Sequence, residues 1–121
     1  MARFVYEEVQ IVAEVDRMGQ DLCVRIWGGD WPHIGSVSIA EPRQSLDGSG
    51  RGAATVSTYN YVSHKDYFVS NPVAEELASK LSCRVVVVCG IHYDEPSREQ
   101  LEKTISLAEQ IVQDISQCYG K

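Results

Sequence analysis

The sequence predicts an α+β domain, with helices packed on a largely antiparallel sheet in the order β-β-β-β-α-β-α, and three observations carry that expectation. Apolar and charged residues nearly alternate near the start of the chain, as in half-buried strands. Residues 84–90 (Arg-Val-Val-Val-Val-Cys-Gly) form a continuous β-branched run, the pattern of a central strand covered on both faces. Two further stretches place apolar residues at helical spacing. The 121 residues suffice for one domain, 1–121, with its own core, and no internal repeat or linker divides them.

The first strand is expected over residues 4–16, where Val9, Ile11, Ala13 and Val15 alternate with Gln10, Glu14 and Asp16. Met18-Gly19-Gln20-Asp21 reads as a hairpin turn, and residues 22–27 supply the second strand, stopped by Gly28-Gly29-Asp30. A third follows at 35–40, ended by Glu41-Pro42, and the Thr, Val and Tyr content of 53–62 favours a fourth. Between them, residues 45–52 have the composition of a flexible loop, whose Gly48–Gly52 stretch would serve a carrier of cargo as a lid. Val69, Val73, Ala74, Leu77, Ala78 and Leu81 then share one helical face. Pro72 interrupts that stretch, so either Asn71 caps a helix beginning at Pro72 or a longer helix from Ser63 is kinked there. After the β-branched run, Ser97-Arg98-Glu99-Gln100 has capping-box form and opens a helix carrying Leu101, Ile105, Ala108, Ile111, Val112 and Ile115.

Composition narrows the function classes. Apolar residues make up 44% and charged residues 23%, ordinary globular usage that excludes a disordered tail. A net charge of −6 argues against nucleic acid as partner, because that binding rests on a basic surface. No run approaches the roughly 18 apolar residues of a membrane span, and the acidic start of the chain lacks a signal-peptide core, so a cytoplasmic protein is expected. Cys23, Cys83, Cys89 and Cys118 show no C-x-x-C spacing and read as reduced thiols.

All three histidines stand where regular structure ends: His33 in Gly28-Gly29-Asp30-Trp31-Pro32-His33-Ile34-Gly35, His64 in Ser63-His64-Lys65-Asp66, and His92 in Gly90-Ile91-His92-Tyr93-Asp94. Each has a carboxylate within two or three residues, the usual companion of a working imidazole. The glycines of the first segment would let backbone amides approach a ligand, although alone the segment reads rather as a turn flanked by aromatics. Ser63-His64-Lys65 would hold an anion at a helix start, or Ser63 is a plain cap. His92 alone would pass for a structural histidine; the coincidence of the three segments favours one shared site. With Asp66 or Asp94, the three histidines would also supply the donors that a divalent metal accepts, but their spacing is that of no known metal motif. A G-x-S-x-G elbow is missing, which disfavours a serine hydrolase.

In that order, the GG-acid-x-PHIG, HKD and GIHxD elements resemble the LpdD-like family of prenylated flavin chaperones, accessory proteins of gallate decarboxylase, over about residues 22–115. The resemblance implies a fold similar to the dimeric proteasome assembly chaperones. It also implies a non-catalytic protein that binds prenylated flavin mononucleotide (FMN), or FMN itself, and loads the cofactor into a UbiD-type (hydroxy)aromatic acid decarboxylase. Cofactor contacts would then fall to Gly28, Gly29, Trp31, His33, Gly35, Ser63, His64, Lys65, His92 and Asp94, with Lys65 toward the phosphate and Trp31, Tyr61 or Tyr93 beside the ring. Two other readings stand beside it: an accessory subunit acting in decarboxylase assembly only, and a metal-dependent enzyme using His33, His64 and His92. A homodimer is expected, because two helices cannot cover both faces of the strand at 84–90.

Overall fold

A computed structural model describes residues 1–61 and 66–120. Its six strands are β1 (Ala2–Tyr6), β2 (Ile11–Met18), β3 (Asp21–Gly29), β4 (Ser36–Gln44), β5 (Gly52–Asn60) and β6 (Val85–His92), and its two helices are α1 (Tyr67–Leu81) and α2 (Arg98–Tyr119). The strands form one mixed sheet in the order β1-β2-β3-β6-β4-β5. Only β3 and β6 run parallel; the other neighbours are antiparallel.

The expected first strand is two. A 3-10 turn at Glu7–Val9, followed by Gln10 in the left-handed region, folds β1 back on β2 with Tyr6 opposite Ile11. The period-2 pattern is blind to such a reversal, since Val9, Ile11, Ala13 and Val15 still alternate and all are buried. Gly19, with φ +63°, makes the expected two-residue turn into β3. Strand β4 runs through Pro42 instead of ending there, because its pairing with β6 stops at Ala40 and one side is thereafter free of the ladder that proline would break.

Both helices lie on one face. Ile11, Val15, Val24, Ile26, Val85 and Val87 point into them and meet Leu77 of α1 and Ile111 and Ile115 of α2, all fully buried. Helix α1 begins at neither of its expected starts: it opens at Tyr67 with Asp66 as N-cap and holds Pro72 as its sixth residue. The Phe68 carbonyl therefore lacks its intrahelical donor. Beneath that turn the interface is polar: Ser70 Oγ lies 2.8 Å from Ser36 Oγ and 2.9 Å from Ser38 Oγ, and Thr58 Oγ1 is bonded to both Ser38 and Asn71. The capping box of α2 forms as read, with Ser97 Oγ accepting from Gln100 N and Gln100 Oε1 accepting from Ser97 N.

The strand at 84–90 is central, as its composition implies, yet only one of its faces is covered. Val85, Val87 and Cys89 are fully buried, while Val86 and Val88 are half-buried on the face that carries no helix. That face also bears Val37, Trp27, Val12 and, at 58% exposure, Ile39. No helix among the described residues is long and apolar enough to cross a membrane.

Candidate functional site

Because β3 and β6 are parallel neighbours, their carboxyl ends emerge side by side, the place where open loops on rigid strands gather functional groups. The two loops are clasped together. Asp30 N and Trp31 N both donate to the His92 carbonyl, at 2.6 and 3.3 Å, and Asp94 N donates to Asp30 Oδ2 at 2.9 Å. Asp94 in turn bridges two rings: its Oδ2 accepts the Trp31 indole N–H at 2.8 Å, and its Oδ1 lies 3.2 Å from His92 Nε2. The indole is held by its edge, leaving 64% of Trp31 exposed.

His33 is fixed from both sides. Its Nδ1 is 3.0 Å from the Trp31 carbonyl and its Nε2 is 3.4 Å from Asp66 Oδ2. Both neighbours are acceptors. Asp66 is only 7% exposed, and its Oδ1 accepts the Ile91 backbone N–H at 2.8 Å, so one carboxylate joins the start of α1, the end of β6 and the His33 ring. Its charge sits at the positive end of the helix dipole, which favours it there. The His33 and His92 rings meet edge to face with centroids 6.3 Å apart. Trp31, His33, His92 and Asp94 are thus brought together as the sequence implied.

The glycines serve differently from their expected part. Gly29 N donates to the Gln10 carbonyl and Gly35 N to the Cys89 carbonyl, so those amides are engaged within the fold. Each glycine is instead demanded by a close approach. A Cβ on Gly35 would lie 1.8 Å from Asp66 Oδ2, one on Gly90 would lie 1.4 Å from the His33 carbonyl oxygen, and one on Gly28 would lie 2.2 Å from the Gln10 carbonyl oxygen. Tyr93, expected as a stacking surface, is buried with its hydroxyl donating to the Val9 carbonyl, and burial raises that hydroxyl's pKa. The loop at 45–52 is no lid: β4 runs antiparallel to β6, which puts that loop at the opposite end of the sheet, about 25 Å away along an eight-residue strand. Ser63, His64 and Lys65 lie outside the described residues. Among the described residues no group of three or more His, Cys, Asp or Glu is placed to hold a metal ion, and the metal reading gains no support.

Beside the clasp runs a groove of about 510 Å³ that the sequence reading missed. Phe68 and Val69 of α1, Ile91 of β6, Pro96, and Leu101 and Ile105 of α2 supply its apolar wall, which Asp66 and His92 join to the histidine cluster. Its signal in the sequence was the helical stripe of α2. Ala108, Ile111, Val112 and Ile115 are buried, but Leu101 and Ile105 on the same stripe are 48% and 54% exposed and line the groove.

Fold and site together define a small α+β protein with a ligand-sized, largely apolar groove adjoining an imidazole and carboxylate cluster. The chain belongs to the prenylated flavin chaperone LpdD-like family, whose model matches residues 6–119. It is similar to Protein LpdD of Lactiplantibacillus plantarum, 27% identical over 123 residues that cover 95% of this chain and 82% of that relative.

Proposed function

We propose that the protein binds prenylated FMN and delivers it to a UbiD-type (hydroxy)aromatic acid decarboxylase, without catalysing a reaction of its own. The observation that carries this reading is the cluster of Trp31, His33 and His92 beside an apolar groove that His92 and Asp66 help to line, in a chain whose family is that of prenylated flavin chaperones. The described residues fit such cargo. An exposed indole held by its edge offers a flat surface, the His92 imidazole offers a polar contact to a ring heteroatom, and the groove accepts hydrocarbon, while His33 is already held by the Trp31 carbonyl and Asp66. Lys65 remains the residue assigned to the phosphate. The flavin is cargo here, and its electron-accepting chemistry serves the enzyme that receives it. Holding it at strand ends on a groove open to solvent favours release, which a sealed pocket would oppose. Free thiols at Cys23, Cys83, Cys89 and Cys118 fit a cytoplasmic setting.

The test is titration of the purified chain with prenylated FMN, followed by transfer to an apo-decarboxylase. Micromolar binding by the chain alone, and activation of the enzyme by the loaded chain, are expected. Activation of the decarboxylase by a chain that binds no flavin would replace this reading with assembly alone.

We also infer a homodimer formed through the open face of the sheet. Val37, Ile39, Val86 and Val88 make an apolar patch there, and beside it Arg3 and Arg25 pair with Glu14 and Asp16 at 2.9 to 3.5 Å. Those pairs neutralise most of the face in a chain of net charge −6, so copies would repel least along it. Sedimentation should give a dimer at micromolar concentration, and Ile39→Glu a folded monomer; a monomeric parent refutes the inference.

A further inference from the structure

We propose that the apolar groove between the N-terminal turns of α1 and α2 is the subsite that reads the prenyl-derived hydrocarbon, and that Phe68, Leu101 and Ile105 make the protein prefer prenylated FMN over FMN. This rests on the flavin-carrying reading above and goes beyond it by assigning the selectivity to three residues outside the histidine cluster.

Exposed apolar side chains scattered over a surface need no explanation. Here they converge. Phe68, Leu101 and Ile105 come from two helices, each about half exposed, and they face Ile91 and Pro96 across one concavity of about 510 Å³. The stripe that builds the core at Ile111 and Ile115 continues outward into this concavity, where the described residues provide nothing to cover it.

The polar groups in the wall decide what the occupant can be. Thr104 Oγ1 donates to the Gln100 carbonyl of its own helix, and the Tyr93 hydroxyl donates to the Val9 carbonyl. Both carboxylate oxygens of Asp66 are engaged, one by Ile91 N and one by His33. No lysine or arginine lines the groove among the described residues. Among the described residues a phosphate or ribityl chain would therefore find no free partner in this apolar wall, whereas hydrocarbon loses nothing there. Among the described residues of the wall only His92 keeps a polar edge toward solvent, and it stands where the groove meets the histidine cluster. The geometry thus orients the cargo with its apolar addition between the helices and its polar ring edge toward His92.

Each methylene-sized unit withdrawn from water is worth about fourfold in affinity, so covering half of a five-carbon unit predicts a preference of about 30-fold for prenylated FMN. The experiment measures binding of FMN and of prenylated FMN to the full chain and to the double variant Leu101→Gln, Ile105→Gln. Both positions are half exposed and glutamine is a good helix former, so the fold should persist, as melting will show. The parent should show the preference. The variant should bind FMN within about twofold of the parent but lose most of the discrimination, to under about threefold. A parent that binds both flavins alike, or a variant that keeps its preference, overturns the subsite while leaving flavin carriage standing; a parent that binds neither overturns both. A change in sedimentation of the double variant would show that a second copy occupies the groove, and would also overturn the proposal.

Discussion

Replacing Asp66 by alanine tests the joint on which the site is built. The carboxylate accepts the Ile91 N–H at 2.8 Å and faces His33 Nε2 at 3.4 Å, while making no side-chain cap to its own helix. Removing it leaves the Ile91 amide without an acceptor, a loss of about 1–3 kcal/mol, toward the low end if water enters the space vacated. Unfolding entropy of about 2.1 cal/mol/K per residue over 121 residues is about 0.25 kcal/mol/K, so Tm should fall by about 4–12 °C. Asp66→Asn separates the two contacts. Its amide oxygen still accepts from Ile91 and should hold Tm within about 4 °C of the parent, but its NH₂ replaces an acceptor with a donor opposite His33. Flavin affinity should therefore fall in both variants and stability mainly in one. Calorimetry and a flavin titration on the same preparations decide it. An Asp66→Ala protein that melts with the parent would refute the joint, and an Asp66→Asn protein as unstable as the alanine variant would show that the charge, and not the acceptor, holds the loops.

Three more outcomes follow from the same structure. Gly90→Ala places a Cβ 1.4 Å from the His33 carbonyl oxygen, a backbone atom that cannot swing aside, and should destabilise by more than about 3 kcal/mol, read as loss of soluble folded protein. Four thiols should titrate after unfolding without reductant, and in the folded protein exposed Cys118 should react first and Cys89 last, since burial pushes the Cys83 thiol up and the Cys89 thiol well up; early labelling of Cys89 by mass spectrometry would contradict this. Burial and the bond to Asp114 raise the Tyr6 hydroxyl, and burial raises that of Tyr93, so their stabilisation is whole below the ordinary tyrosine pKa of about 10 and declines as the pH climbs past it. A Tm unchanged between pH 8 and 11 would count against both.

Much of this architecture was legible in the chain because burial leaves a period. The β-branched run gave the central strand, the stripe from Leu101 to Ile115 gave α2, and the capping box marked its start. What stayed hidden has no period. The reversal at Glu7–Val9 preserves the alternation on either side of it, so two strands read as one. Valine on both faces of β6 means that both are apolar; the helices of this chain cover one, and the other is the face expected to meet a second copy.

At the site the residue types were legible and their division of labour was not. His33, His92, Trp31 and Asp94 meet as their positions implied, because parallel strands carry their loops out at one end. The glycines beside them looked like room for a ligand. In three dimensions they are room for the protein itself: Gly35 admits the Asp66 carboxylate and Gly90 admits the His33 backbone, so that the rings, and not the amides, face outward. A sequence marks where backbone must come close but not what comes close to it. That distinction moves the proposed ligand contacts from the glycine turn to the aromatic and imidazole rings and the groove beyond them, and it makes Asp66 the residue whose loss should be felt at every one of these places.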